Sequence, residues 1–442
     1  MNLNLDEAFK KVLFFAFIFC CAVSFAYAQG DVYLSLSATG KRSDIAIESF
    51  FSPNKQQDDI KYAQLLKEIV QNDLILCRYF NVVIGDPEAN APLDTKLVFW
   101  EKKGAAVLLN ASVKTLKPEQ ISVDVKLYDV VSGEIILKQN FRNESVNYRY
   151  LAHEISDEIV KRFTGEIGVA CSRIAFINNS TRFKELYLID YDGYNLRRLT
   201  KDKKLNILPR WSPDGEQIIY TSYLYNNPDL FSLNVVKNRR SIISKYQGLN
   251  AAGAFSPDGK KILLTLSRGK YPNLYLISPT GEILRRMTDG SYIDTSPSFA
   301  PNGQEIVFIS DRPGYPQLYI MNIDGGNLRR LTTSGFCDSP AWSPRGDKIV
   351  FTMRQQKGNY DLFVYDLPSS KITRLTNNQR NNENPSWSPD GRFLAFSSTR
   401  SGRSEIYVMA IDGSGTRKLA ELPESSYTPA WSPNLLENKQ QR

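Results

Sequence analysis

The sequence predicts a small α/β domain over residues 29–168 and then an all-β six-bladed β-propeller over residues 169–442, closed by a C-terminal strand. One observation behind this fold class is a motif that returns at steps of 43 to 45 residues, in the second part only. Another is a change in composition, since 18 of the 22 prolines lie after residue 168. With 42% hydrophobic and 23% charged residues, the chain has a globular composition, which excludes wholesale disorder and a multi-span membrane protein.

Residues 1–28 have the pattern of a secretory signal peptide. Two lysines precede an apolar run over residues 12–23, and Ala28 ends a small-x-small cleavage sequence, so the mature chain is expected to begin at Gln29. The apolar run is too short to cross a hydrocarbon core of about 30 Å as a helix. We therefore expect export, with an uncleaved membrane anchor as the alternative.

The region that follows predicts two helices with two strands between them. Apolar side chains recur at helical spacing over residues 58–76 and again over residues 152–163, and Gly165 is well placed to end the second helix. Residues 121–127 alternate between apolar and polar side chains, as a half-buried strand does, and a turn at residues 131–133 leads back into a second strand over residues 134–141. These elements predict the α/β domain.

The repeated motif has the form Pro-x-Trp-Ser-Pro-Asp-Gly and is complete at residues 209–215. Its Ser-Pro-Asp-Gly part predicts a tight turn, because proline presets φ at the second position and glycine suits the last. Apolar strands such as residues 306–308 and 318–321 follow the turn, and an Asp-Gly turn leads to a last strand. Four short strands in each repeat are typical of a propeller blade. The second prolines of the six copies stand at positions 213, 257, 301, 344, 389 and 433.

The two ends of the repeat region complement each other. The first unit begins at residues 174–176 with what is elsewhere a second strand, and the last copy, residues 429–433, is a first strand with no blade after it. Joining them completes six blades and leaves no open sheet edge between the ends.

The net charge of +8 is explained by basic pairs on the predicted outermost strands. Charged side chains there protect an exposed sheet edge from pairing with other chains. A nucleic-acid site would instead gather basic and aromatic residues on one face, so we expect no nucleic-acid partner. The pairs are Arg197-Arg198, Arg239-Arg240, Arg285-Arg286, Arg329-Arg330 and Arg417-Lys418.

No motif in the sequence predicts catalysis. The single histidine, His153, lies in the second predicted helix without the second histidine that a zinc-protease helix requires. The chain also lacks a Gly-x-Ser-x-Gly nucleophile motif and a phosphate-binding loop. The mature chain has three cysteines, Cys77, Cys171 and Cys337, too few and too scattered for a disulfide framework. We expect neither enzyme activity nor a cofactor nor a metal.

The combination of these features resembles the TolB family of the Tol-Pal system. The resemblance is carried by the signal peptide, the α/β domain, residues 150–158 of the second helix, the opening of the propeller at 174–176 and 190–195, and the closing motif at 429–433. It implies a non-catalytic periplasmic adaptor of Gram-negative bacteria. Such proteins bind the peptidoglycan-associated lipoprotein Pal through the propeller and TolA through the mature N-terminus. They support outer-membrane integrity and constriction during division.

Further partners that the resemblance suggests are other outer-membrane lipoproteins and porins, and we expect a monomer. For TolA the N-terminal candidates are Asp31, Tyr33, Leu34 and Leu36.

The candidate Pal site consists of the segments that enter each first strand, because in a propeller these open onto one end of the central channel. We interpret them as loops whose small and amide side chains meet a partner. The alternative is that they only satisfy turn geometry. The candidates are Asn206, Asn250, Ala252, Asp294, Thr295, Asp338, Glu383, Asn384 and Tyr427.

Two other functional classes stay open at this point. One is a propeller scaffold for outer-membrane protein assembly, which would lack the N-terminal domain. The other is a small-ligand or peptidase accessory propeller, against which the missing nucleophile and the lone histidine argue.

Overall fold

The computed structural model describes residues 42–88, 91–117, 119–355, 358–377 and 379–436. The predicted signal peptide and the N-terminal candidates for TolA lie outside the described residues. The chain divides into two compact units, one ending at Gly168 and the next beginning at Val169.

The N-terminal unit is a five-stranded sheet with the order β2-β1-β3-β4-β5. Strand β1 is parallel to both of its neighbours, while β3, β4 and β5 are antiparallel. The two predicted helices, the strand over residues 121–127 and the returning strand over residues 134–141 are confirmed, while no sequence pattern predicted β1, β2, β3 or the middle helix. The elements are β1 Ser43–Ile47, α1 Gln57–Leu76, β2 Phe80–Val83, α2 Leu93–Lys102, β3 Val107–Lys117, β4 Gln120–Asp129, β5 Ile135–Glu144, a 3-10 turn Ser145–Asn147 and α3 Tyr148–Thr164.

Two apolar cores lie on opposite faces of this sheet. One contains Leu66 of α1 and Ile155 of α3, and the other contains Trp100 of α2. A buried hydrogen bond between His153 Nδ1 and Asp73 Oδ2, 2.8 Å long, joins α3 to α1. Helix α3 ends at Gly165, as predicted, because that residue adopts the left-handed conformation with φ 76°.

The C-terminal unit contains six four-stranded antiparallel sheets, which confirms the predicted propeller. The basic pairs lie on the fourth, outermost strands, and Arg197, Arg198, Arg329 and Arg330 are exposed there. The blades are: blade 1, β29 Ser426–Trp431, β6 Arg173–Asn178, β7 Glu185–Asp190, β8 Arg197–Arg198; blade 2, β9 Asn206–Trp211, β10 Gln217–Ser222, β11 Asp229–Asn234, β12 Arg239–Ser244; blade 3, β13 Asn250–Phe255, β14 Ile262–Leu266, β15 Asn273–Ile277, β16 Ile283–Arg286; blade 4, β17 Asp294–Phe299, β18 Glu305–Ser310, β19 Gln317–Asn322, β20 Arg329–Arg330; blade 5, β21 Phe336–Trp342, β22 Lys348–Arg354, β23 Tyr360–Asp366, β24 Lys371–Arg374; and blade 6, β25 Asn382–Trp387, β26 Phe393–Ser398, β27 Glu405–Ala410, β28 Arg417–Lys418.

The ring closes through the last strand of the chain. Strand β29 pairs with β6 from Ser426 opposite Asn178 to Trp431 opposite Ile174, and it also contacts the innermost strands β9 and β25 of the neighbouring blades. The indole Nε1 of Trp211 donates to Ala430 O at 3.0 Å across this junction. The first blade therefore combines both ends of the repeat region, as predicted.

Candidate functional site

The candidate Pal site falls on the innermost strands of the propeller. Strands β9, β13, β17, β21, β25 and β29 contact one another in a closed circle around the central channel. Each begins at the same end of the channel. We number three successive residues there as the first, second and third positions, and the first positions are Asn206, Asn250, Asp294, Cys337, Asn382 and Ser426. We call the second and third positions of the six strands the channel ring. The second positions are Ile207, Ala251, Thr295, Asp338, Glu383 and Tyr427, and the third positions are Leu208, Ala252, Ser296, Ser339, Asn384 and Thr428.

The interpretation of these segments as loops is wrong, because they are parts of strands. The first positions are buried, and Asn206, Asn250 and Asp294 are 0% exposed there. Asn250 Oδ1 accepts hydrogen bonds from Ser244 Oγ at 2.6 Å and from the Tyr246 amide at 3.0 Å. Asp294 Oδ2 accepts one from Arg312 at 3.0 Å. These side chains hold the strands in place and present no surface to a partner in this structure.

A further set of buried polar residues, which no motif in the sequence had indicated, supports the joints between neighbouring blades. In blade 5, Asp361 Oδ1 accepts from Thr376 Oγ1 at 2.7 Å and from Asn382 of the next blade at 3.2 Å. The equivalent residues stand at or next to the start of the third strand in every blade and are 0–4% exposed. In the sequence these residues recur at a constant spacing of 44 residues, so an alignment of the repeats with one another would identify them. They are Glu185, Asp229, Asn273, Gln317, Asp361 and Glu405.

The third position of the channel ring has a left-handed backbone in all six blades. The φ values are 55° at Leu208, 53° at Ala252, 53° at Ser296, 49° at Ser339, 55° at Asn384 and 46° at Thr428. The pairing register of each innermost strand shifts at this point, as in a β-bulge. None of the six is glycine, so each such conformation costs on the order of 1 kcal/mol or more and is of the kind that clusters at functional sites.

The accessible members of the predicted site are Ala252, Thr295, Asp338, Glu383, Asn384 and Tyr427. Neighbouring blades are linked here, because Ser339 Oγ donates to Asn384 Oδ1 at 3.1 Å. The ammonium of Lys184 lies 4.3 Å from the centre of the Tyr427 ring. The structure thus brings polar and aromatic groups together around one end of the channel.

Two carboxylates on adjacent blades dominate the electrostatics of the channel ring. Partial burial raises the pKa of Asp338, and hydrogen bonds from the Ser339 amide and Ser296 oppose this effect. The pKa of Glu383 is also raised, first by burial and then by the negative charge of Asp338. Arg210, on the blade opposite Asp338, favours the ionised form of that carboxylate, and burial lowers the pKa of Arg210 itself.

Large apolar side chains surround the same end of the channel. They lie in the connections between second and third strands, just before the first strands or, for Phe336, at the start of one, and each is between 36% and 62% exposed. An exposed apolar set around a polar centre is typical of a protein-binding surface. We call this set the apolar rim: Phe183, Leu205, Tyr225, Tyr292, Ile293 and Phe336.

The cysteines of the described residues are buried thiols. Cys77, Cys171 and Cys337 form no disulfide with one another. Burial raises the pKa of Cys337 to about 11, which keeps it protonated at neutral pH. Along the described residues, no helix has both the length and the apolar character needed to cross a membrane.

Family models match both units of the chain. The TolB amino-terminal domain matches residues 37–136, and the TolB beta propeller domain matches residues 160–338 and 333–437. Together these matches cover well over half of the sequence. The chain belongs to the TolB family.

Individual members of the TolB family are similar to this chain at moderate identity. The Tol-Pal system protein TolB of Desulfosudis oleivorans is 33% identical over 245 residues, 53% of this chain and 55% of that protein. The TolB protein of Geobacter sulfurreducens is 37% identical over 195 residues, 42% and 44% of the two chains. These alignments span about half the length of the curated relatives. The crystal structure of TolB from Acinetobacter baumannii matches with a TM-score of 0.78 at 28% identity, over 89% of this chain and 97% of that one.

Proposed function

We infer that this protein is a non-catalytic periplasmic adaptor of the Tol-Pal system. Support comes from its membership of the TolB family and from relatives that are named Tol-Pal system proteins. The N-terminal TolB domain favours this function over an outer-membrane assembly scaffold, which would lack that domain. In the adaptor role the protein contributes to outer-membrane integrity and to constriction at division.

The propeller binds Pal at the end of the channel where the innermost strands begin. The observation that carries this proposal is the coincidence of three features at that end. They are the apolar rim, the strained third positions of the channel ring, and the acidic pair Asp338 and Glu383, whose ionisation is costly in the folded protein. A folded domain of Pal that buries the rim and gives hydrogen-bond donors to the two carboxylates offsets these costs.

TolA binds through the mature N-terminal segment, with Asp31, Tyr33, Leu34 and Leu36 as the candidate contacts. This part of the proposal rests on the family resemblance alone. Export by cleavage between Ala28 and Gln29 places the segment in the periplasm.

The test is calorimetric titration of the mature protein with the soluble domain of Pal from the same species. We expect saturable binding that Glu383→Arg weakens at least tenfold, about 1.4 kcal/mol. The matched control is Glu282→Arg, an exposed acid in the connection between β15 and β16 at the other end of blade 3. It should leave the affinity unchanged.

Two outcomes would contradict the proposal. One is an absence of binding to Pal, and the other is an equal loss of affinity for both charge reversals. Deleting residues 29–41 should abolish binding to TolA and preserve binding to Pal, which separates the two proposed sites.

A further inference from the structure

The N-terminal unit contains a cavity at the point where its sheet changes direction. From β1 the chain passes through α1 to β2 on one side, and from β2 it passes through α2 to β3 on the other side of β1. Helix α1 packs on one face of the sheet and α2 on the other. In open α/β sheets such a switch point leaves a crevice beyond the carboxyl ends of the parallel strands, and ligands bind there.

The cavity has a volume of about 450 Å³, which is within the range of small-molecule sites. Its wall combines apolar groups from Phe51, Leu93 and Tyr128 with charged groups from Glu48, Asp86, Lys67 and Lys96. Phe51 is 47% exposed and Leu93 is 38% exposed, so apolar surface is available to an occupant.

Glu48 is the buried charge of this cavity, with 6% of its surface exposed. Its amide donates to Leu109 O at 3.0 Å, which fixes it at the end of β1 beside β3. Oε2 accepts from Asn110 Nδ2 at 2.8 Å and from Lys96 Nζ at 3.4 Å. Oε1 is buried and accepts no hydrogen bond from any described residue. A buried carboxylate oxygen without a hydrogen-bond donor destabilises the folded protein. A ligand that donates a hydrogen bond to this oxygen removes that destabilisation.

Lys67 of α1 provides the opposite charge on the same wall. Its ammonium has one polar contact, to Ser49 Oγ at 3.5 Å. Within the part of the chain that the structure describes, no carboxylate pairs with it. The cavity therefore offers an acceptor that lacks a donor and a cation that lacks an anion.

We propose that this cavity binds a small zwitterionic ligand of the short-peptide class. The ligand's ammonium donates to the Glu48 carboxylate, its carboxylate pairs with Lys67, and its apolar side chain packs against Phe51 and Leu93. Charge-assisted hydrogen bonds to both ends select molecules that carry both groups.

The test is calorimetric titration of the purified mature protein with the dipeptide leucyl-alanine, its N-acetyl form and its C-terminal amide. The N-acetyl form lacks the ammonium and the amide form lacks the carboxylate. We expect the free dipeptide to bind and each blocked form to bind at least tenfold more weakly. Glu48→Gln should weaken binding of the free dipeptide and abolish its advantage over the N-acetyl form, and Lys67→Gln should do the same with respect to the amide form.

Matched controls are Glu101→Gln on α2 and Lys61→Gln on α1, both exposed and outside the cavity wall; neither should change binding. A dissociation constant weaker than about 10 mM for the free dipeptide would overturn the proposal. Equal affinity for the three forms would also overturn it, and that comparison stands even if Glu48→Gln fails to fold.

Discussion

Individual side chains at the channel ring combine two unfavourable features. The third positions hold non-glycine residues in left-handed conformations, including the β-branched Thr428 at φ 46°. Next to them, Asp338 and Glu383 are carboxylates whose pKa values are raised by burial. Stability alone favours neither feature, because glycine and neutral amides would suit these positions better. Their coincidence at one end of the channel is the reason to seek the binding surface there.

Replacing Glu383 by glutamine is expected to stabilise the propeller at neutral pH. Because its pKa is raised in the folded state, the folded protein holds this proton more tightly than the unfolded chain does. Stability is therefore lost as the pH rises from the ordinary value of 4.5 through the raised pKa. The glutamine variant avoids this loss, so its advantage should shrink as the pH falls. Thermal unfolding of both proteins between about pH 4 and about pH 7 measures the difference.

The control for this experiment is Glu282→Gln, at an exposed position far from the channel ring. It should not change the pH profile. A Glu383→Gln variant with the wild-type melting temperature at every pH would show that Glu383 carries no such cost.

Neighbouring blades are held together by buried polar joints as well as by apolar packing. In blade 5, Thr376 Oγ1 donates to Asp361 and accepts from the Leu362 amide at 3.0 Å, while Asn382 reaches Asp361 from blade 6. The joint thus ties the third and fourth strands of one blade to the first strand of the next. Buried groups of this kind specify a geometry because each is costly when left without its partner.

Thr376→Val is expected to destabilise the propeller by about 1 to 3 kcal/mol, since it keeps the side-chain shape, removes the acceptor of the buried Leu362 amide and takes one hydrogen-bond donor from Asp361. Chemical denaturation followed by tryptophan fluorescence measures the change. Thr373→Val, an exposed position on the adjacent strand β24, serves as the matched control and should have almost no effect. Equal stability of the two variants would refute a structural role for the joint.

The whole propeller depends on one strand from the end of the chain. Strand β29 supplies the inner edge of blade 1 and contacts the innermost strands on both sides. Without it, β6 would present an unpaired edge and the circle of innermost strands would be interrupted.

A chain that ends at Ser425 is therefore expected to lose the cooperative unfolding transition of the propeller. Calorimetry and limited proteolysis are the measurements. The control is a chain that ends at Leu436, which retains β29 and should melt like the full-length protein. A truncation at Ser425 that unfolds at the wild-type temperature would mean that the ring does not need this closure.

The sequence predicted most of the propeller and only part of the N-terminal unit. The repeat reveals the number of blades and the order of their strands, because every copy contains the same turn followed by the same strands. Strands β1 and β2 are short segments of 5 and 4 residues, too brief for a clear periodicity. Helix α2 was missed as well, with only Leu97 and Trp100 buried along its 10 residues.

The candidate residues lie together at one end of the channel, but in strands where the sequence predicted loops. Polar residues before a Pro-x-Trp motif suggest a loop, yet Asn206, Asn250 and Asp294 are buried in strands. Their partners come from distant positions, such as Arg312 for Asp294, and no local pattern reveals such a contact. Both the burial of these residues and the exposure of Glu383 depend on how adjacent blades meet.

By itself, the sequence determined the blade count, the closing strand and the family. A regular repeat and its turn chemistry act within a few residues of each other, and local rules are enough to interpret them. Only the tertiary structure decided which polar residues form joints, which six positions take the strained conformation, and that a charged cavity lies at the switch point of the N-terminal sheet. Those properties arise from contacts between residues far apart in the chain, where burial and electrostatics are set by neighbours that the local sequence does not name.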